Sequence, residues 1–238
     1  MMMPTLDGTN SEAKRTEIKA YFNHCYKRYE LLFKLITKED AYYQKAHLLR
    51  HPLIFYYGHT ATFFINKFHL AKLINQRINP HIEAIFAVGV DEMSWDDLNE
   101  KNYNFPTLEE TQHYRDSVSN LVNNLIDTLP LILPITEESP WWVILMGIEH
   151  ENIHLETSSV LIRQLPLKFL HSISEFTPCK SYNTTHFPKN ELIEVLAKEV
   201  SLGKNSEAKL FGWDNEYGKN LASIPSFNAS KYLVSNGE

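Results

Sequence analysis

Apolar side chains recur at helical spacing in four long stretches of the chain. These stretches are residues 11–32, 52–73, 107–129 and 139–165. Each begins with a helix start signal: Ser11 can cap the first, and the fixed φ of Pro52 suits the first turn of the second. T-L-E-E from Thr107 has the pattern of a capping box, and Ser139-Pro140 opens the fourth stretch. The pattern therefore predicts four long helices.

The connections between these helices are long enough for the chain to cross over. Segment 75–105 mixes proline, glycine and acidic residues without a sustained period, and it is longer than an ordinary connection within a bundle. Four helices joined in this way indicate a mainly α protein, an α-helical bundle. Facing helices in the core of such a bundle are a common place for metal sites.

The character of the sequence changes after Pro166. Residues 170–210 are polar and mixed, and contain one shorter helical candidate at 189–200. The tail that follows is rich in glycine, asparagine, serine and aromatic residues, which is typical of turns and short β-strands. We therefore expect a different domain to begin there.

Composition excludes several classes of partner. The 238 residues are 43% hydrophobic, which suits a well-buried domain with a further piece, and the net charge of −6 comes from interspersed signs. We expect no nucleic-acid or membrane partner, because there is neither a basic patch nor a run of about 20 apolar residues. Residues 1–10 lack the apolar core of a signal peptide, and Cys25 and Cys179 fit no disulfide pattern. These features predict a cytoplasmic protein.

Three histidines carry the candidate chemistry. His150 and His154 are four residues apart in a predicted helix, so their imidazoles lie one turn apart on one face. His59 lies in the middle of another apolar helix, in FYYGHTATFF. Uncharged, metal-bound imidazoles are easier to bury than free ones, so we predict a three-imidazole metal site between the two helices, with Glu149 or Glu151 as partners of the ligand rings.

The histidines also admit two other interpretations. HENIH matches the HExxH signature of zinc proteases, with Glu151 as general base, but the glycine and third histidine of the extended metzincin motif do not follow. The remaining histidines are expected in solvated or capping roles, and His51 is expected outside the helix because it precedes Pro52. They are His24, His47, His51, His69, His81, His113, His171 and His186. Cys25 is expected in the core, and no GxSxG, P-loop or GxGxxG motif is present.

Several long segments resemble one enzyme family. They are HPLIFYYGHTATFFINKF, FAVGVDEMSWDDLN, SPWWVILMGIEHENIHLETSSVLIRQLPL, FGWDNEYG and NASKYLVSNGE. Together they resemble the N-terminal half of 5-histidylcysteine sulfoxide synthases, the first enzymes of ovothiol biosynthesis. The resemblance covers most of residues 40–238 and is far more specific than HExxH.

The resemblance implies a domain order. It implies a DinB-like four-helix bundle at 1–170, a linker region at 171–208 and, at 209–238, the truncated start of a domain resembling formylglycine-generating enzyme. The catalytic residues of the chain itself are unknown, because the family places the tyrosine and most substrate-binding groups in the downstream domain. The missing C-terminal domains could act as a separate chain, and many family members end with a methyltransferase.

The resemblance also implies an activity. His59, His150 and His154 would bind Fe(II), and the enzyme, an oxidoreductase, would join the sulfur of L-cysteine to the imidazole of L-histidine with O2. No other cofactor-binding residue is implied. Related ergothioneine synthases share the iron triad and carry arginines in the loop that is acidic here. The acidic loop favours the ovothiol branch. A solvated loop before the next helix explains the same residues equally well. The acidic residues are Asp91, Glu92, Asp96 and Asp97.

Two alternatives remain open at this point. A DinB-type metal-dependent thiol transferase would share the bundle and the three histidines, but would bind zinc or nickel and lack the FGWDNE tail. A metal-binding module without activity of its own would work by docking the rest of the protein.

Overall fold

The computed structural model describes residues 1–88, 104–176, 188–235 and 237–238, and it is mainly helical. The four long helices confirm the predicted stretches, and a short helix, α3, lies in the segment where no period was found. The helices are α1 (Ser11–Phe33), α2 (Leu53–Leu70), α3 (Pro80–Ile85), α4 (Leu108–Thr128) and α5 (Pro140–Ile162).

Local side-chain signals set most of the helix starts. Thr107 and Glu110 form the predicted capping box, each side chain accepting from the backbone N–H of the other. At the start of α1 the prediction was one residue off. Asn10, not Ser11, is the cap, and its side-chain oxygen accepts from the N–H of Ala13. Both residue types cap well, so sequence alone did not separate them.

The first compact unit comprises Met1–Glu175 with Lys209–Phe211. Helix α2 packs against α4 and α5, and α1 packs against the same two helices. Large side chains of all four long helices or their flanks fill the core between them. Those buried completely or nearly so include Phe22, Phe33, Phe55, Phe64, Phe68, Val118, Ile126 and Trp141. The sequence of α2 is apolar nearly all round because it is covered on more than one side.

The second unit comprises the described residues of Phe176–Ala208 and Gly212–Glu238. It contains two antiparallel pairs, β1 (Leu192–Val195) with β4 (Phe227–Ser230) and β2 (Lys198–Leu202) with β3 (Asn220–Ile224). The short strands predicted for the tail are confirmed. The boundaries predicted at 170 and 208 stay a prediction.

The prediction of a helix at 189–200 was wrong, since β1 and the first part of β2 occupy this segment. Its apolar positions suit either period, and β-branched Ile193, Val195 and Val200 favour extended backbone once partner strands are present. Their pairing partners on β3 and β4 lie 18 to 38 residues further along the chain, from Leu202 with Asn220 to Leu192 with Ser230. Pairing over that distance overrides a weak local helical pattern.

Some predictions fall where the structure gives no description. The acidic loop residues 91, 92, 96 and 97, together with Cys179 and His186, lie outside the described residues. Among the helices that are described, none combines the length and apolar character needed to cross a bilayer.

Helices α2 and α5 approach closely at a glycine. A Cβ on Gly147 of α5 would lie 2.2 Å from the ring of Phe64 on α2, and Phe64 is fully buried. No side chain larger than hydrogen fits there without displacing that ring.

We expect Gly147→Ala to destabilise the chain by about 1–3 kcal/mol, because the overpacking outweighs the gain in helix propensity. Urea denaturation measures this change. In a Phe64→Leu background, Gly147→Ala should lower the free energy of unfolding by less than it does beside Phe64. A double-mutant cycle should therefore show coupling between the two positions. Equal stability of Gly147→Ala and the wild type would contradict the packing.

Candidate metal centre

Helices α2 and α5 bring the three predicted histidines together. The Nε2 atoms of His59 and His150 lie 3.3 Å apart, and the ring of His154 has its centroid 4.9 Å from that of His59. One ligand nitrogen from each ring lies within 4.8 Å of the others. Nitrogens bound to one ion at about 2.1 Å are at most about 4.2 Å apart, so a small rotation of the rings would suffice.

A backbone carbonyl orients the first of these rings. The Nδ1 of His59 lies 2.7 Å from the carbonyl oxygen of Phe86, directly after α3. Because a carbonyl only accepts, Nδ1 carries the proton and the lone pair is on Nε2, which faces His150. Such a bond is the usual way in which a protein orients a metal-binding imidazole. A Cβ on Gly58 would lie 2.1 Å from the Phe86 ring, so this glycine admits the residue that supplies the carbonyl.

Aromatic rings cover the histidines on two sides. Phe63 stacks on His150 with ring centroids 3.7 Å apart, and Phe55 stacks on His59 at 5.3 Å. His51 lies outside the helix as predicted, but it is buried and stacks in turn on Phe55 at 4.1 Å. The sequence did not predict this role, because a histidine before a proline carries no signal of burial.

Burial keeps the paired imidazoles neutral. Loss of solvent, then the neighbouring imidazoles, holds the pKa of His150 well below its usual range. The same causes lower the pKa of His154 to about 3. Neither Nδ1 atom has a hydrogen-bond partner among the residues described. Neutral, partly unsatisfied imidazoles suit a divalent metal, which binds only deprotonated rings.

Glu151 does not serve the histidines as expected. Its carboxylate is fully buried and accepts from Arg115 at 3.0 Å and from the hydroxyl of Thr60 at 3.3 Å. Glu151 is one residue after His150 and is therefore rotated by about 100° around the helix axis, so its side chain lies on another face of α5. A carboxylate engaged in that way does not suit the general base of the zinc-protease interpretation.

Arg115 of α4 ties α2 to α5 behind the histidines. Its side chain is fully buried and donates to the carbonyl of Tyr57 and the hydroxyl of Thr60, each at 2.8 Å, as well as to Glu151. The guanidinium also lies over the ring of Tyr26, 4.3 Å from its centroid. Thr60 and Glu151 directly follow His59 and His150, so this network holds both ligand-bearing turns in place.

The other candidate residues take no part in the cluster. Burial raises the pKa of the Cys25 thiol to about 11, which fits the predicted core role and excludes a thiolate at neutral pH. The remaining described histidines are exposed, as expected for solvated roles. They are His24, His47, His69, His81, His113 and His171.

Comparison with known proteins places the three histidines within a known family domain. The model of the DinB superfamily matches residues 21–158, more than half of the chain and the part that holds all three histidines. The chain is also similar to "Ergothioneine biosynthesis protein 1" of Neurospora crassa, with 23% identity over 226 residues. That alignment covers 88% of this chain and 25% of the relative, so the chain spans about a quarter of the relative's length.

We expect alanine at His59, His150 or His154 to weaken Fe(II) or Co(II) binding at least about 100-fold, because an open three-imidazole site has few bonds to spare. Anaerobic equilibrium dialysis with elemental analysis measures the metal content. His113→Ala, an exposed change on α4, is the matched control and should bind as the wild type does. Unchanged metal content in any of the three variants would refute its ligand role.

We expect Arg115→Met to cost about 3–5 kcal/mol of unfolding free energy, because it leaves Glu151 buried without its counter-charge. Urea denaturation of the metal-free chain measures the loss. Adding Glu151→Gln should recover a large part of it. Lys19→Met, which breaks an exposed ion pair with Asp127, is the control and should cost less than about 1 kcal/mol. A loss as small as that of the control would contradict the network.

Proposed function

The chain belongs to the DinB superfamily, and from this we propose that it is the metal-binding part of a non-haem iron sulfoxide synthase. The observation that carries the proposal is the cluster of three imidazoles, His59, His150 and His154, between α2 and α5. The similarity to a protein named for ergothioneine biosynthesis supports the same class of chemistry.

The donor set fits iron. Three imidazoles are borderline ligands that suit Fe(II), and they leave positions for a thiolate, a substrate nitrogen and O2. Bound iron would supply the redox chemistry with O2. The chain's own residues would hold and orient the metal through the carbonyl of Phe86, and would shield it on two sides with Phe55 and Phe63.

The proposed reaction joins two amino acids. The sulfur of L-cysteine and a ring carbon of L-histidine form a C–S bond, and each loses one hydrogen. One oxygen atom of O2 becomes the sulfoxide oxygen and the other leaves as water with those two hydrogens, so O2 takes up four electrons. The choice of the ovothiol branch rests on the resemblance of the quoted segments and on the acidic loop, which lies outside the described residues.

The proposal extends to the rest of the protein. We propose that residues 209–238 begin a domain resembling formylglycine-generating enzyme, and that this domain supplies the catalytic groups, in the same or a separate chain. The proposal is supported by the strands β3 and β4, which pair with β2 and β1 and lie with Gly212–Glu238 in the second compact unit. We also propose a cytoplasmic location, with the amino acids and O2 as the partners.

To test this function, the chain is purified without oxygen, loaded with Fe(II) and given L-cysteine, L-histidine and O2. Mass spectrometry then looks for the coupled sulfoxide. We expect product only when the downstream domain is added, and none with His150→Ala in either case. Product from the chain alone would show that the bundle suffices. If neither preparation forms the sulfoxide, the zinc and nickel forms of the chain are tested for transfer of a thiol to an electrophile. Transfer would favour the transferase alternative.

A further inference from the structure

A cavity of about 510 Å³ opens beside the metal centre. It lies between the segment 47–50 and the C-terminal half of α5, and His154 forms part of its wall. Tyr56, whose ring centroid is 5.9 Å from that of His154, lines it as well. The volume falls in the range of small-molecule sites and exceeds that of a free amino acid. The cavity therefore borders one of the three candidate metal ligands.

The cavity has a positive wall in a negatively charged protein. Arg50 lines it, none of the described residues that line it is acidic, and the chain as a whole has a net charge of −6. The Nη1 of Arg50 donates to the carbonyl of the adjacent Leu49 at 3.2 Å. No carboxylate of the described residues pairs with this guanidinium. Arginine in such a position is suited to a carboxylate, which it can bind through two parallel hydrogen bonds.

Other lining groups suit the remainder of a small zwitterion. Thr157 and Gln164 on the α5 side offer hydroxyl and amide groups, while Leu49 and Val160 supply apolar contact. The Nδ1 of His47 accepts from the N–H of Leu49, which holds the segment beside Arg50 in a defined turn. A few polar groups set in an apolar wall are the usual make-up of a specific ligand site.

We propose that this cavity is the binding site of a thiol-containing α-amino acid, with its carboxylate on Arg50 and its sulfur directed to the metal beside His154. The inference rests on the proposed function, since the metal sets the orientation of the ligand. It assigns Arg50 the discrimination between amino acids and thiols that lack the carboxylate.

The test compares two thiols that differ in the carboxylate alone. Co(II)-loaded chain is titrated without oxygen with L-cysteine and with cysteamine, and the thiolate-to-cobalt absorption band reports binding of sulfur to the metal. We expect the wild type to bind L-cysteine at least about tenfold more tightly than cysteamine. Arg50→Gln should bind the two thiols about equally, with its cobalt spectrum before titration unchanged. Arg28→Gln, an exposed change on α1, is the matched control and should keep the wild-type preference.

The outcomes separate this inference from the proposed function. Equal affinity of the wild type for both thiols would overturn the role of Arg50 while the metal centre stands. A preference that survives in Arg50→Gln would also overturn it, since the carboxylate would then bind elsewhere, for example on the metal. If cobalt binds and neither thiol produces the band, the cavity does not deliver sulfur to the metal. Absence of cobalt binding would refute the metal centre itself.

Discussion

The close packing of α2 against α5 is the constraint on which the site depends. His59 stands on one helix and His150 and His154 on the other, so their nitrogens meet only while the two helices keep their spacing and register. Gly147 sets the spacing where the ring of Phe64 fills the place of a side chain. The register is held by Arg115, which bonds to both helices next to the histidines. These contacts act on the backbone that carries the ligands and do not touch a metal.

This arrangement places costly groups in the interior. Imidazoles are buried in neutral form, and an arginine and a glutamate are buried as a pair. A buried ion pair adds little net stability compared with apolar residues, but removal of one partner is severe. Such a pair therefore suits a position where geometry matters more than stability. A bound metal would offset the burial of the imidazoles, because it replaces the partners that their nitrogens lose on leaving water.

The two sides of the centre differ in character. Phe55 and Phe63 stack on His59 and His150 and exclude water there, whereas His154 borders the open cavity. A metal held between these sides would be shielded on one and accessible on the other. This asymmetry is what a site needs if it is to admit a small ligand without exposing all of its ligands to solvent.

The sequence by itself determined the four long helices and the placement of His150 and His154 on one face, because helical period and capping are local properties. It also singled out His59, from its position in an apolar helix. Only the tertiary structure decided that His59 faces the pair, that the carbonyl of Phe86 orients it, and that Arg115 binds Glu151. The strands at 192–202 were likewise decided only by the tertiary structure. In each case the partner is distant along the chain, and a backbone carbonyl or a long-range pairing leaves no periodic trace in the residues that meet it.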